Sequence, residues 1–231
     1  MLCSRCRSAF GRLPAGTIAP RATLDVGFAA FPYEGVAREL VHALKFRGAV
    51  AVSREMAALM VERVPTGMLT DVVLVPVPAH PANRRSRGYS QTALLARELA
   101  AICELPVLDC LVRDSARPPQ STLSRAERLR LPKWSIRAEV PASYRQNPFA
   151  LAGFPTKVVL LDDVTTTGVT LEVCASAIRE RYPAERLSEE RTKEWREGDG
   201  RAAIGVLAFA GTSAHPGPRE RLPTGHAFTE G

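Results

Sequence analysis

The segment VVLLDDVTTTGVTL, residues 158–171, limits the possible folds of this chain more than any other stretch. A run of apolar residues leads directly into Asp162 and Asp163, and threonines with a glycine separate these acids from a helix-like pattern. We predict a buried strand over residues 157–161, a tight turn, and a helix that begins near residues 168–170. A strand followed at once by a helix is typical of an α/β fold with a mostly parallel sheet.

Other segments continue this alternation of strands and helices. Apolar residues at helical spacing occur in YEGVARELVHALKF, in SREMAALMVERV, where Ser53 is the predicted N-cap, and in SQTALLARELAAIC. Short apolar runs predict strands in VLDCLVR, AAIGVLAFA and DVVLVPVP, and the last of these has the composition of a central strand buried on both faces. We therefore predict one α/β domain over residues 26–211, with helices flanking a mostly parallel central sheet.

Three segments fall outside this pattern. Residues 1–25 combine a Cys-x-x-Cys pair with Pro, Gly and Thr, which predicts a short irregular N-terminal arm. Residues 182–200 form a charged insertion between the last predicted helix and the last predicted strand. Residues 212–231 are rich in Gly, Pro and polar residues, so we expect a disordered tail.

Composition narrows the class of protein. The chain has 231 residues, of which 45% are hydrophobic and 24% charged, as is ordinary for a globular protein. No stretch approaches the ~18 apolar residues that a membrane span needs, and the start does not read as a secretory signal, so we expect a cytoplasmic protein without membrane insertion. The formal net charge of +7 favours an anionic partner, either a phosphorylated small molecule or a nucleic acid. A basic surface that serves only solubility is the alternative.

The turn after the acidic pair has the chemistry of an anion site. The backbone N–H groups and the dipole of a helix N-terminus attract phosphate, threonine hydroxyls add donors, and a glycine lets the backbone approach the ligand closely. Asp162 and Asp163 would accept hydrogen bonds from neighbouring hydroxyls, so the whole segment complements a ribose 5-phosphate. A turn whose acids merely cap the helix is the competing interpretation. A Walker B strand is disfavoured, because the sequence contains no GxxxxGK[ST] motif.

The same segment resembles the loop that binds phosphoribosyl pyrophosphate (PRPP) in type I phosphoribosyltransferases. Three further stretches extend the resemblance to the ComF family of competence-related, phosphoribosyltransferase-like proteins: LVHALKFRG, VPVPAHPANRRSRGYSQTALLARELA and RPPQSTLSRAERLRL. The resemblance runs from about residue 30 to residue 180 and includes the strand near residues 204–209. It implies a type I phosphoribosyltransferase fold and, where turnover occurs, transfer of a phosphoribosyl group with release of pyrophosphate.

The resemblance also implies roles for individual residues. Asp162 and Asp163, the candidate catalytic pair, would bind the ribose hydroxyls. The 5-phosphate of PRPP would be held by the turn, through Thr165, Thr166, Thr167, Gly168 and Thr170. Basic residues in the loop after the first core strand are candidate pyrophosphate ligands: Arg84, Arg85 and Arg87. Polar residues of a mobile hood over the site are further candidates: Gln120, Arg125 and Arg128.

Cofactors and partners follow from the resemblance in the same way. Mg²⁺ would bridge the pyrophosphate and the ribose diol of bound PRPP. Cys3 and Cys6 match one half of the zinc ribbon that precedes the domain in ComF relatives, whereas a structural zinc needs four ligands. An assigned start too far downstream, decay of the ribbon, or ligands from another chain would each account for the missing half. The alternative function is non-catalytic binding of single-stranded DNA, alongside other competence proteins, during natural transformation.

Overall fold

The computed structural model describes residues 2–18, 23–114, 135–139, 157–181 and 203–212. Several predicted features lie outside the described residues: the hood residues Gln120, Arg125 and Arg128, the charged insertion at 182–200, and the tail beyond residue 212. Within the described ranges, no helix combines the length and the apolar character that crossing a membrane requires.

The described part of the chain contains six helices. They are α1 (Ser4–Gly11), α2 (Gly35–Phe46), α3 (Val52–Val61), α4 (Pro81–Arg87), α5 (Gln91–Cys103) and α6 (Val169–Arg181). Four of them, α2, α3, α5 and α6, lie close to predicted ones. Ser90 caps α5, because its Oγ accepts a hydrogen bond from the Ala93 N–H at 3.3 Å. The predicted cap of α3 is wrong: Ser53 lies inside the helix, and its hydroxyl donates to the carbonyl of Val50 instead.

Seven strands are present in the described ranges: β1 (Gly16–Thr17), β2 (Val26–Pro32), β3 (Val73–Pro76), β4 (Leu111–Arg113), β5 (Ile136–Ala138), β6 (Lys157–Thr165) and β7 (Ala203–Gly211). Five of them form one sheet in the order β1-β2-β7-β6-β3. In this sheet β2, β7, β6 and β3 run parallel, and β1 lies antiparallel at one edge. β4 and β5 form a separate antiparallel pair. The predicted mostly parallel sheet flanked by helices is confirmed.

Successive residues of β6 alternate between two hydrophobic cores. Val159 and Leu161 pack on one face with side chains of α2, α3 and α5, whereas Val158 and Leu160 pack on the other face with α6 and the β4–β5 pair. A strand inside a parallel sheet is buried on both faces, which explains its uninterrupted apolar run. The same alternation sends the side chains of the acidic pair that follows to opposite faces of the strand.

The structure corrects the predicted irregular N-terminal arm. Residues 4–11 form α1, and Phe10 near its end is only 2% exposed. The ring of Phe10 makes edge-to-face contacts with Phe31 and Phe209, with centroid distances of 4.7 Å and 6.2 Å. Phe10 therefore helps to anchor a segment whose other residues carry no helical pattern of apolar positions, and the ion pair between Arg7 and Glu62 adds a contact at 2.6 Å.

The strand in DVVLVPVP is shorter than predicted, and it is not central. β3 is the last strand of the five-stranded sheet, and on its outer side only an isolated bridge joins Leu74 to Val107. Leu74 is nevertheless completely buried, because α5 covers one face of β3 and the chain near residue 107 covers its edge. The prediction of burial on both faces was correct, but such burial does not require a central position in the sheet.

Candidate functional site

A cavity of about 400 Å³ lies at the carboxyl edge of the parallel sheet. Ligands of open α/β sheets bind at this edge, where loops and helix N-termini converge. The walls come from the end of α2, the region between β3 and α5, the end of β4, and the end of β6 with the turn that follows it. Eight of the predicted ligand residues line this cavity: Asp162, Asp163, Thr165, Thr166, Thr167, Gly168, Thr170 and Arg87.

The turn that follows β6 is shorter than predicted. β6 continues to Thr165, so the acidic pair lies within the strand rather than after its end. Gly168 has a φ of +72°, a left-handed conformation that glycine adopts without the strain of a side chain. α6 begins at Val169, inside the predicted range. Because the first turn of a helix presents backbone N–H groups and the positive end of its dipole, this wall of the cavity suits an anion.

Asp163 leaves β6 on the face covered by α2 and forms an ion pair there. Its Oδ1 lies 2.9 Å from Nζ of Lys45, and the two side chains are 8% and 23% exposed, respectively. Burial, the largest single influence, acts to lower the pKa of Lys45, but the charge and hydrogen bond of Asp163, together with the charge of Asp162, outweigh it and raise that pKa. Lys45 therefore remains a cation beside the acidic pair at neutral pH.

Asp162 leaves the strand on the opposite face and has different electrostatics. Burial raises the pKa of Asp162 to about 7, and the neighbouring charge of Asp163 adds to this effect. The pairing of β3 with β6 ends at Leu161, before Asp163. The backbone N–H of Asp163 instead donates a hydrogen bond to Oδ1 of Asp162 at 2.8 Å. The two acids thus differ in role: a cation holds Asp163, while Asp162 titrates near neutral pH and can accept a hydrogen bond from a ligand hydroxyl.

The basic segment after β3 is a short helix rather than the predicted loop. His80 caps α4, since its Nδ1 accepts a hydrogen bond from the Ala82 N–H at 3.1 Å. Arg87 is half-buried and lines the cavity, whereas Arg84 and Arg85 are exposed and are not among its lining residues. Only one of the three predicted pyrophosphate ligands therefore lines the cavity.

Arg113 and Gln91 also line the cavity, although no sequence motif marks them as site residues. Burial lowers the pKa of Arg113, with opposition from nearby Cys174 and Asp162, and within the described residues its Nη2 is buried without a hydrogen-bond partner. Gln91 is 3% exposed, and its Nε2 also has no partner among these residues. Since buried donors normally find acceptors, Arg113 and Gln91 indicate a ligand rich in acceptor oxygens or nitrogens.

Only a weak sequence signal marks the basic residues Lys45 and Arg113, which both line the cavity. Lys45 occupies the last turn of an amphipathic helix, where a lysine normally faces solvent. Arg113 ends a three-residue strand and belongs to no motif. Both reach the cavity because α2 and β4 end at the same edge of the fold as β6, and this convergence is a property of the tertiary structure.

Metal ligands are few in the described part of the chain. It contains no cluster of three or more His, Cys, Asp or Glu residues that could hold a metal ion. The carboxylates of Asp162 and Asp163 nevertheless fit Mg²⁺, which usually takes one or two carboxylates together with water and substrate phosphates.

Cys3 lies at the N-cap of α1 and Cys6 lies in its first turn, so zinc at this pair would need two ligands from outside the described residues or from another chain.

The parallel strands of the sheet end at an edge that carries the acidic end of β6 and a threonine–glycine turn before a helix. These features define a phosphoribosyltransferase-like α/β protein. No family model matches the chain. The chain is 25% identical over 162 residues to competence protein F of Haemophilus influenzae, a match that covers 68% of this chain. The match covers 65% of that relative, slightly less than two thirds of its length. This distant similarity supports membership of the chain in the competence-related ComF family.

Proposed function

We propose that this protein binds PRPP, with the 5-phosphate at the Thr165–Thr170 turn and the ribose diol at Asp162 and Asp163. A single observation carries the proposal: one cavity brings together a helix N-terminus, threonine hydroxyls and two carboxylates. These groups are complementary to the two ends of a ribose 5-phosphate, because amides and hydroxyls donate to phosphate and carboxylates accept from hydroxyls.

Three basic side chains of the same cavity support a place for pyrophosphate. Arg87, Arg113 and Lys45 line this cavity, and all three side chains carry positive charge at neutral pH. Cations around a departing pyrophosphate stabilise its developing charge, and positioned charges of this kind supply much of the catalysis in such reactions. In the proposed transfer, the bond between C1 of the ribose and the pyrophosphate oxygen breaks, and an acceptor nucleophile forms the new bond at C1.

Asp162 and Asp163 would hold Mg²⁺ together with oxygens of PRPP, and a bound Mg²⁺ would neutralise charge on the pyrophosphate. The residues of this chain have other tasks. The Thr165–Thr170 turn positions the phosphate end, Asp162 orients the ribose, and Lys45 keeps Asp163 in place on the α2 side of the strand.

The proposal is tested by calorimetric titration of ribose 5-phosphate and of PRPP, with and without Mg²⁺. Wild type should bind both ligands, and the double variant Asp162→Asn/Asp163→Asn should bind ribose 5-phosphate at least about tenfold more weakly, because neutral amides accept weaker hydrogen bonds than carboxylates. Asp71→Asn is the matched control, since it makes the same chemical change at an exposed residue before β3, at the opposite edge of the sheet. Equal affinity in wild type and the double variant would exclude this site.

A second candidate function is binding of single-stranded DNA. The observation that favours it is the position of Arg84 and Arg85, which are exposed on α4 outside the cavity, on a chain with a formal net charge of +7. The similarity to a competence protein is consistent with this candidate. Exposed arginines attract the phosphate backbone without reading its sequence.

This candidate is tested by fluorescence anisotropy with a labelled thymidine oligonucleotide at low and at high salt. Affinity should fall steeply as salt rises, and Arg84→Gln/Arg85→Gln should reduce the slope of that dependence by about two counterions. Undetectable binding at low salt, or an unchanged slope in the variant, would exclude the α4 surface as a DNA site.

A further inference from the structure

Phe46 is an exposed aromatic residue on the wall of the cavity. Its exposure of 63% exceeds that of Val50 and Ile102, the other large apolar residues exposed in the described part of the chain. The guanidinium carbon of Arg87 lies 5.2 Å from the centroid of the Phe46 ring, and the ring of His42 meets it edge-to-face at 5.4 Å. The ring therefore has polar neighbours on part of its surface, while most of it faces solvent at the cavity.

The backbone around Phe46 is held in place at the end of α2. The N–H groups of Arg47 and Ala49 both donate to the carbonyl of Ala43, and Gly48 has a φ of +64°, so the chain turns away directly after Phe46. The hydroxyl of Tyr89 donates to the carbonyl of Leu44, which lies in the same turn of α2 as Phe46. A ring on a fixed backbone loses little conformational entropy when a ligand packs against it.

We propose that Phe46 is a stacking platform for the nucleobase of a nucleotide whose ribose phosphate occupies the site formed by Asp162, Asp163 and the Thr165–Thr170 turn. This inference rests on the proposed function and adds the location of the base. A nucleobase has a planar π face and a polar edge, and it is the class of ligand that suits an aromatic ring in a charged cavity. A purely apolar ligand would instead have to displace water from Arg87 and the acidic pair.

A second observation at the cavity also indicates a ligand with acceptor atoms. The side-chain amide of Gln91 is buried at the cavity wall, and its Nε2 has no hydrogen-bond partner within the described ranges. Ring nitrogens and carbonyl oxygens of a nucleotide are acceptors of the kind that this donor lacks. The platform and the donor therefore favour the same class of ligand from independent features of the cavity.

The test compares ribose 5-phosphate with AMP and UMP, which add a base to the same sugar phosphate. Wild type should bind both nucleotides about 5- to 100-fold more tightly than ribose 5-phosphate, because stacking on an aromatic residue is tolerant of base identity. Phe46→Ala should abolish this advantage and leave the affinity for ribose 5-phosphate unchanged, whereas Phe46→Tyr should retain the advantage. Ile102→Ala, which truncates an exposed apolar residue outside the cavity, is the matched control and should behave as wild type.

The outcomes separate this inference from the proposed function. If ribose 5-phosphate binds wild type but AMP and UMP bind no more tightly, or if Phe46→Ala keeps the advantage of the nucleotides, the platform is overturned and the sugar-phosphate site stands. If ribose 5-phosphate does not bind wild type, both are overturned. If Phe46→Ala weakens the binding of a thymidine oligonucleotide but not of AMP or UMP, the ring contacts a DNA strand instead. That result would also overturn the inference.

Discussion

Lys45 Nζ lies 2.9 Å from Oδ1 of Asp163, and this contact joins the last turn of α2 to the acidic end of β6. The two residues are far apart in sequence and meet only because α2 ends over the carboxyl edge of the sheet. The contact gives one acid of the pair a fixed counter-charge and leaves the other acid, Asp162, with a raised pKa. The two carboxylates at this edge are therefore not equivalent.

Replacing Lys45 with Met should destabilise the protein by about 2–3 kcal/mol, because the buried carboxylate of Asp163 would lose its counter-charge. Urea unfolding at pH 7.5 measures this change. The double variant Lys45→Met/Asp163→Asn should recover at least about 1 kcal/mol, since it removes the unpaired charge as well. Stability losses that simply add in the double variant would show that the ion pair makes no net contribution.

Stability should depend on the protonation of Asp162. The folded protein holds the proton of Asp162 up to a pKa of about 7, whereas the unfolded chain releases it near the ordinary value of 3.8. Between these two values the folded state binds more protons, so this carboxyl lowers the free energy of unfolding as pH rises. Asp162→Asn should therefore be more stable than wild type at pH 8, by up to about 4 kcal/mol, and the difference should shrink towards pH 4. Urea unfolding measures the free energies of unfolding of wild type and Asp162→Asn. A difference between them that stays constant from pH 4 to pH 8 would contradict this prediction.

Arg87 and Arg85 offer a matched pair for testing the pyrophosphate side of the cavity. Arg87→Gln should weaken binding of pyrophosphate in the presence of Mg²⁺ by about tenfold or more, because a hydrogen bond to a charged group is lost inside the cavity. Arg85→Gln removes the same charge from an exposed position on the same helix and should change the affinity by less than about twofold. Calorimetric titration gives both affinities, and equal losses in the two variants would indicate only a general effect of net charge.

Phe10→Ala should show that the N-terminal helix is part of the core. The ring is 2% exposed and contacts Phe31 and Phe209, so its removal should lower the free energy of unfolding by about 3–4 kcal/mol. Phe46→Ala is the comparison, because it deletes the same ring from a position that is 63% exposed and should cost about 1 kcal/mol or less. If both variants unfold at the same urea concentration, α1 does not dock on the core in solution.

Much of the fold could be predicted because its signals are local. The apolar run of β6 and the helical spacing of α2 and α5 each depend on residues that are close together in sequence. The short helices α1 and α4 were not predicted, because Phe10 finds its partners across the fold and the basic residues of α4 have no apolar periodicity. The central position expected for β3 was also wrong, since burial of a strand does not determine its place in the sheet.

The sequence alone determined the strand–turn–helix unit around Asp162, Asp163 and Gly168, because the periodicity, the acids and the glycine conformation are all encoded within about fifteen residues. The tertiary structure decided which other groups meet that unit. It separated the two acids onto opposite faces of β6, placed Lys45 against one of them and Arg113 near the other, and directed Arg87 but not Arg84 or Arg85 into the cavity. These relationships depend on where α2, α4 and β4 end in space, and contacts between distant segments arise from the packing of the whole core rather than from local sequence.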